Sequence, residues 1–439
     1  MRFRDILEID YLILLPVMVL LVIGILFIYS SGITSSGELV SNEYIRQIVW
    51  ASSGLVIALV MAMVNYRRFY NISLYLYLLI LIPLLYTIVF GRVVHGTRWL
   101  RIGSFGIQAS EFAKITTIIF LARYLADSQR SGKTFVRFIL SCLVVVIPMG
   151  IVLIQPDLGT SLVFIPILLS MTFIAGISLR YVIFLASCIL LTSLFAILPL
   201  WQTFILRKSL PALVVLTSPR LIVVVILVLS IIAAIALFGH LKYRKRYFFW
   251  MLYVVAIIVF SLGASYVTRN VLKSYQLMRL IVFLDPNVDP RGAGWNIIQS
   301  VTAIGAGGVT GQGYLQGTQS HYRFLPEQST DFIFSIFSEE MGFAGGIVVF
   351  TLFLIICLRL MRIIKTATDP FAAYICAGLV GMYSFHFLVN VGMTMGIMPI
   401  TGIPLLFMSY GGSSVISGML GIGLALSIHV RRYDLRHVL

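Results

Sequence analysis

Residues 11–31 read YLILLPVMVLLVIGILFIYSS, a run without a single charged side chain. About 20 apolar residues carry an α-helix across the ~30 Å hydrocarbon core of a bilayer. Standing behind the short start Met1-Arg2-Phe3-Arg4, the run could also be read as a secretory leader. What decides the matter is recurrence. Comparable runs follow near 45–64, 73–90, 110–125, 137–155, 158–176, 181–200, 220–238, 247–267, 332–358, 373–395 and 411–429. The first is therefore a retained span. The fold class is all-α: a polytopic transmembrane helix bundle of about 12 helices, with residues 1–439 forming one membrane domain. Backbone groups in hydrocarbon must be satisfied within their own segment, and no alternating barrel pattern occurs, so the spans are helical.

Composition agrees. The 439 residues are 60% hydrophobic and only 11% charged, with a mean hydropathy of +1.02. Cys142, Cys188, Cys357 and Cys376 stand singly in apolar runs, which gives neither a disulfide framework nor a zinc site. The formal net charge is +16, a value that suggests nucleic acid in a soluble protein. Here positive-inside bias is the economical cause. With both termini cytoplasmic, the inner loops gather most of the 32 basic residues, among them Arg67, Arg68, Arg130, Lys133, Lys242, Arg244, Lys245, Arg246, Arg359, Arg362, Lys365, Arg431 and Arg432, with Arg2, Arg4 and Arg436 in the tails. No nucleic-acid partner is expected. The outer face keeps charges of both signs. Its largest loop, about 268–331, holds glycine clusters and two Asp-Pro steps, and loops of that length are seldom idle.

Four stretches carry a resemblance. Gly96-Thr97-Arg98-Trp99-Leu100 runs on to Gln108-Ala109-Ser110-Glu111-Phe112-Ala113-Lys114, and Gln155-Pro156-Asp157-Leu158-Gly159-Thr160 follows. The outer loop holds Phe283-Leu284-Asp285-Pro286, Gly292-Ala293-Gly294-Trp295-Asn296, Gly317-Thr318-Gln319-Ser320 and Leu325-Pro326-Glu327, ending at Thr330-Asp331-Phe332-Ile333-Phe334. Near the C-terminus stand Asn390, Gly396-Ile397-Met398-Pro399 and Ser409-Tyr410-Gly411-Gly412-Ser413-Ser414. In this order, inside a polytopic chain, they resemble the SEDS (shape, elongation, division and sporulation) family of membrane glycosyltransferases that polymerise peptidoglycan. The family core has ten helices, which makes an inserted pair of about 220–267; a pair preserves the side on which every later loop emerges. Ser329 stands where the family commonly has His, and Ala109 where it commonly has Pro.

The resemblance implies that lipid II is polymerised at the outer face of the cytoplasmic membrane in support of cell elongation and shape. Undecaprenyl pyrophosphate is the implied leaving group. Implied partners are a class B penicillin-binding protein transpeptidase, other elongation-complex proteins and membrane lipids. A sugar hydroxyl is a poor nucleophile, so a positioned carboxylate is needed as general base, and Asp331 matches the family's catalytic aspartate. Ser329, Thr330 and Asp331 also sit where a helix begins, which is a routine capping position. Arg98, Arg101, Lys114, Arg279, Arg291 and Arg323 are the basic candidates for pyrophosphate, directly or with a divalent cation, Mg or Mn, whose ligands the sequence does not name. Glu111 and Lys114, three apart on a helix, either pair structurally or touch substrate. Trp99, Asp157, Glu327, Ser329 and Thr330 complete the substrate-binding candidates. Glu339 and Glu340 are expected to be buried among polar partners or to coordinate a cation, with architecture the favoured role, and His386 with Asn390, four apart, to make interhelical hydrogen bonds rather than bind metal. The rival readings are a lipid II flippase, which needs ionisable groups near the membrane midplane, and a non-catalytic scaffold of the cell-wall complex.

Overall fold

The computed structural model describes residues 9–432, apart from 91, 95, 96, 103, 104, 131, 132, 207, 209, 272 and 273. Arg2, Arg4 and Arg436 thus lie outside the described residues. Among the described residues twelve long helices appear: α1 Tyr11–Ser31, α2 Glu43–Met63, α3 Arg67–Phe90, α4 Ala109–Asp127, α5 Thr134–Ile154, α6 Leu158–Ile174, α7 Leu179–Trp201, then, after the short α8 Pro211–Thr217, α9 Pro219–Tyr243 and α10 Arg246–Val271. The outer-loop region forms α11 Ser274–Leu284, α12 Ala293–Ala306 and the single turn α13 Thr318–His321; α14 Ile333–Thr366, α15 Pro370–Thr394 and α16 Gly412–Val430 finish the chain. Ten of these helices are long and apolar enough to cross a membrane. The other two long ones are α6, with 17 residues, and α4, which carries Glu111, Lys114, Arg123 and Asp127.

Each expected apolar run therefore became a helix. One feature had no signal in apolar length. Between α3 and α4 the chain makes a three-stranded antiparallel sheet, β1 Arg92–Val94, β2 Thr97–Ile102 and β3 Phe105–Ile107. Arg92 pairs with Trp99 and Leu100 with Ile107. The Trp99 ring lies over Gly106 of β3, where an added Cβ would stand 3.0 Å from a ring carbon.

The contacts gather into two compact units, residues 178–298 and the rest of the chain, and the boundary falls inside α12. In the smaller unit α9 and α10 form an antiparallel pair around the turn at Arg244, which adopts a left-handed φ of 52°. The ring of Phe248 on α10 fills the space over Gly239 of α9. Tyr253 donates to the Arg180 carbonyl at 2.7 Å, tying α10 to α7.

In the larger unit α15 and α16 are the most enclosed helices. Helix α16 runs along α2 with small residues between them: a Cβ at Gly423 would meet the Ala58 carbonyl at 2.7 Å. Without a hydrophobic drive between helices in lipid, such close approach is what makes them adhere. At one end of this unit Asp10 caps α1 through the Leu12 N–H and pairs with Arg359 of α14 at 2.6 Å. At that end too, Asp369 caps α15 through Ala372 N–H and receives the Tyr66 hydroxyl.

Helix α14 is discontinuous. Gly342 has φ 62° and ψ −164°, a conformation almost reserved for glycine. The loop 308–313 closes the break: Gln312 and Gly313 N–H donate to the Glu339 and Glu340 carbonyls at 3.0 Å, and Phe343 N–H donates to the Gly308 carbonyl at 2.9 Å. A Cβ on Gly342 would sit 2.3 Å from the Gly311 nitrogen. Gly342→Ala is expected to destabilise the protein by at least the ~1–3 kcal/mol of backbone strain alone. A thermal-unfolding midpoint in detergent checks this; an unchanged midpoint would mean that the loop is not seated as described.

Candidate active site

Asp331 lies two residues ahead of the first residue of α14, and its side chain is half-buried. The capping expectation is corrected here: Phe332 holds the N-cap position and no side chain caps it, so Asp331 stands one residue too early. The approach to the helix is a tight turn instead. Glu327 adopts φ 50°, its carbonyl accepts the N–H groups of Thr330 and Phe332 at 3.3 Å, and its carboxylate accepts the Thr330 hydroxyl at 3.2 Å. The turn is fixed from outside at two carbonyls. Tyr410 N–H donates to Ser329 at 2.8 Å, and the Asn390 amide donates to Asp331 at 2.9 Å.

A second polar cluster forms at the start of α4. Lys114 and Glu111 pair at 2.8 Å, and both are at most 2% exposed. Glu111 also accepts the Ser417 hydroxyl of α16 at 3.0 Å. His386 Nδ1 lies 3.1 Å from the Pro404 carbonyl, which can only accept; the proton therefore sits on Nδ1, and Nε2 is left to accept from the Lys114 ammonium at 3.0 Å. Asp157 caps α6 through Thr160 N–H at 3.1 Å and accepts the Gln108 amide at 2.8 Å, with the Ser110 hydroxyl at 3.4 Å. Burial raises the Asp157 carboxyl above the usual carboxylate range, against the lowering effect of the Thr160 bonds.

The two clusters are joined by α15. His386 and Asn390, one turn apart, hold the consecutive carbonyls of Pro404 and Ile403. The interhelical role expected for this pair holds for His386, which meets Lys114 of α4, whereas both Asn390 bonds go to loop carbonyls. Beside them an apolar cavity of about 940 Å³ runs between α14 and α15. Phe334, three residues beyond Asp331, lines it, together with Gly346, Phe350, Phe387 and Met395.

The sequence profile of the cell cycle proteins FtsW, RodA and SpoVE matches residues 10–210 and 204–434. The chain belongs to this family. It is 49% identical over 433 residues to the peptidoglycan glycosyltransferase RodA of Treponema pallidum, covering 98% of this chain and 100% of that one. The Escherichia coli K12 peptidoglycan glycosyltransferase MrdB is 31% identical over 431 residues, covering 98% and 96%. Among solved structures, a chain of a peptidoglycan synthase complex that coordinates polymerization and crosslinking superposes with a TM-score of 0.66 at 24% identity, over 97% of this chain and 99% of that one.

Against this family frame the expected site residues divide. Asp331, Glu327, Ser329 and Thr330 form one turn; Glu111, Lys114 and Asp157 share the second cluster. Lys114, expected as an outer cation for pyrophosphate, is 1% exposed and engaged by Glu111 and His386. Arg323 is exposed, at a left-handed φ of 56°, in the loop after α13. Arg279, over the Tyr275 ring, and the exposed Arg291 belong to the smaller unit. Trp99 is half-buried on β2; the side chains of Arg98 and Arg101 on the same strand lie outside the described residues. Glu339 binds the Gln319 and Ser320 N–H groups at the start of α13, and Glu340 binds Leu315 N–H and the Ser30 hydroxyl, the architectural role expected of them. Among the described residues no three His, Cys, Asp or Glu side chains converge as metal ligands. Sequence reasoning missed Gln108 and Ser417 as partners of Asp157 and Glu111. Both lie in or beside the quoted motifs, but nothing in their spacing pairs them.

Proposed function

We propose that the protein polymerises lipid II into glycan strands at the outer face of the bacterial cytoplasmic membrane, with Asp331 as general base. The coarse part follows from the family: the chain is a multi-pass peptidoglycan glycosyltransferase. The finer part assigns the step. The Asp331 carboxylate takes the proton of the acceptor 4-hydroxyl, whose oxygen attacks the anomeric carbon of the second lipid-linked disaccharide with inversion. The bond to undecaprenyl pyrophosphate breaks and its electron pair leaves with the pyrophosphate. The observation that carries this reading is a half-buried acid on a turn held at two carbonyls, beside an apolar cavity whose chemistry suits a hydrocarbon tail. The basic ends of α3, α4, α5, α14 and α16 support a cytoplasmic assignment for the opposite end, some 30 Å away along the 20 residues from Pro370 to Asn390. A class B penicillin-binding protein is the proposed partner, by analogy with the synthase complex above.

The flippase reading gains one observation, the broken helix α14 with two buried acids beside the break, a device transporters use. Both acids are bound to fixed loop groups, which supports a static anchor instead. Purified protein with labelled lipid II and Mg or Mn is expected to build glycan chains. Liposomes that scramble lipid II with no chain growth would favour the flippase.

A further inference from the structure

We propose that Asn390 is a positioning residue for Asp331, a reading that rests on Asp331 being the base. Asn390 is fully buried on α15, and its amide donates twice, to the Asp331 carbonyl at 2.9 Å and the Ile403 carbonyl at 2.8 Å. Both partners can only accept, so the amide has one possible orientation; flipped, its oxygen would face two oxygens. In that orientation Oδ1 has no hydrogen-bond partner among the described residues. The two donated bonds are what this side chain contributes to the site.

One of those bonds acts on the main chain of Asp331 itself, and the other ties the amide to residue 403. Fixing the Asp331 carbonyl fixes the plane of the peptide that follows it, and so narrows the directions in which Cβ can leave the chain. No helix cap does this work, since Phe332 has none. The other end of the clamp is itself held. His386 binds the neighbouring Pro404 carbonyl at 3.1 Å, Leu405 N–H donates to the Ser409 hydroxyl at 2.9 Å, and Gln47 of α2 donates to the Ser409 carbonyl at 3.1 Å. Tyr410 of the same segment holds Ser329. The Asp331 main chain is thus tied to a frame made by α15 and residues 403–410, as well as to its own Glu327 turn.

The test uses the full-length protein and steady-state polymerisation of labelled lipid II. Asn390→Ser is expected to lower kcat by about 10²-fold with KM within about threefold, since a misplacement near 1 Å has that effect. In an Asp331→Glu background, where the carboxylate is already displaced, the same substitution is expected to cost less than about threefold, because the two residues act as a unit. Should Asn390→Ser not fold, Asn390→Gln keeps the donors on a longer stem and carries the same comparison. An unchanged kcat, or an equal loss in both backgrounds, would overturn the proposal, the second by showing a general structural role. Asp331→Asn alone tests the underlying reading: wild-type turnover in that variant removes the base, whatever the Asn390 variants do.

Discussion

Asp331→Asn is expected to lower glycan polymerisation by about 10²–10⁴-fold, the usual contribution of a positioned general base. Asparagine has the shape of aspartate and cannot take a proton from a sugar hydroxyl. The clamp from Asn390 reaches the main-chain carbonyl of residue 331, which the substitution leaves in place. The fold and lipid II binding should therefore persist, and the loss should fall on kcat. Asp331→Glu keeps a base but moves it by one methylene, and is expected to retain a measurable fraction of turnover. Glu327 is the control. It is exposed and closes its own turn through Thr330, so Glu327→Gln should cost no more than a few-fold. If Glu327→Gln abolished polymerisation while Asp331→Asn spared it, the base would be assigned to the wrong carboxylate. The measurement is the rate of glycan growth from labelled lipid II, with a thermal-unfolding midpoint for each variant.

The helices were legible because spanning length is a local property: each of the twelve apolar runs could be read with no knowledge of its neighbours. The sheet at 92–107 was not, since its strands are three to six residues long and their pairing depends on a turn chemistry that apolar counting ignores. The break at Gly342 was also hidden. Its signal is one glycine among 35, and what makes it a break is the loop 308–313 arriving from elsewhere. In the site, Glu111 and Lys114 could be paired from their spacing alone. Asp331 could be named from its motif, yet its capping role failed by one residue, because helix starts are set by backbone angles that sequence resolves poorly. Asn390 was legible as a polar residue in a span but not as a partner of Asp331. Its acceptors are carbonyls of Asp331 and Ile403, and a carbonyl carries no sequence signal.

The second large effect is expected at the buried pair. Lys114→Met should destabilise the protein by about 3–5 kcal/mol, the cost of leaving one member of a buried ion pair behind. Glu111 would then keep the Ser417 hydroxyl at 3.0 Å and lose its only described cation, in a helix with hydrocarbon around the bundle. His386 Nε2 would lose its donor as well. Adding Glu111→Gln removes the stranded charge and keeps an acceptor for Ser417, so the double variant should recover more than half of the loss. Unfolding midpoints of the wild type, both single variants and the double variant measure this. A Lys114→Met protein as stable as wild type would show that the pair is not a strut. The same double variant separates the two roles the sequence left open for these residues. If it regains stability and polymerises lipid II, the pair serves to join α4 to α15 and α16. If it regains stability and remains inactive, the charges act on the substrate as well.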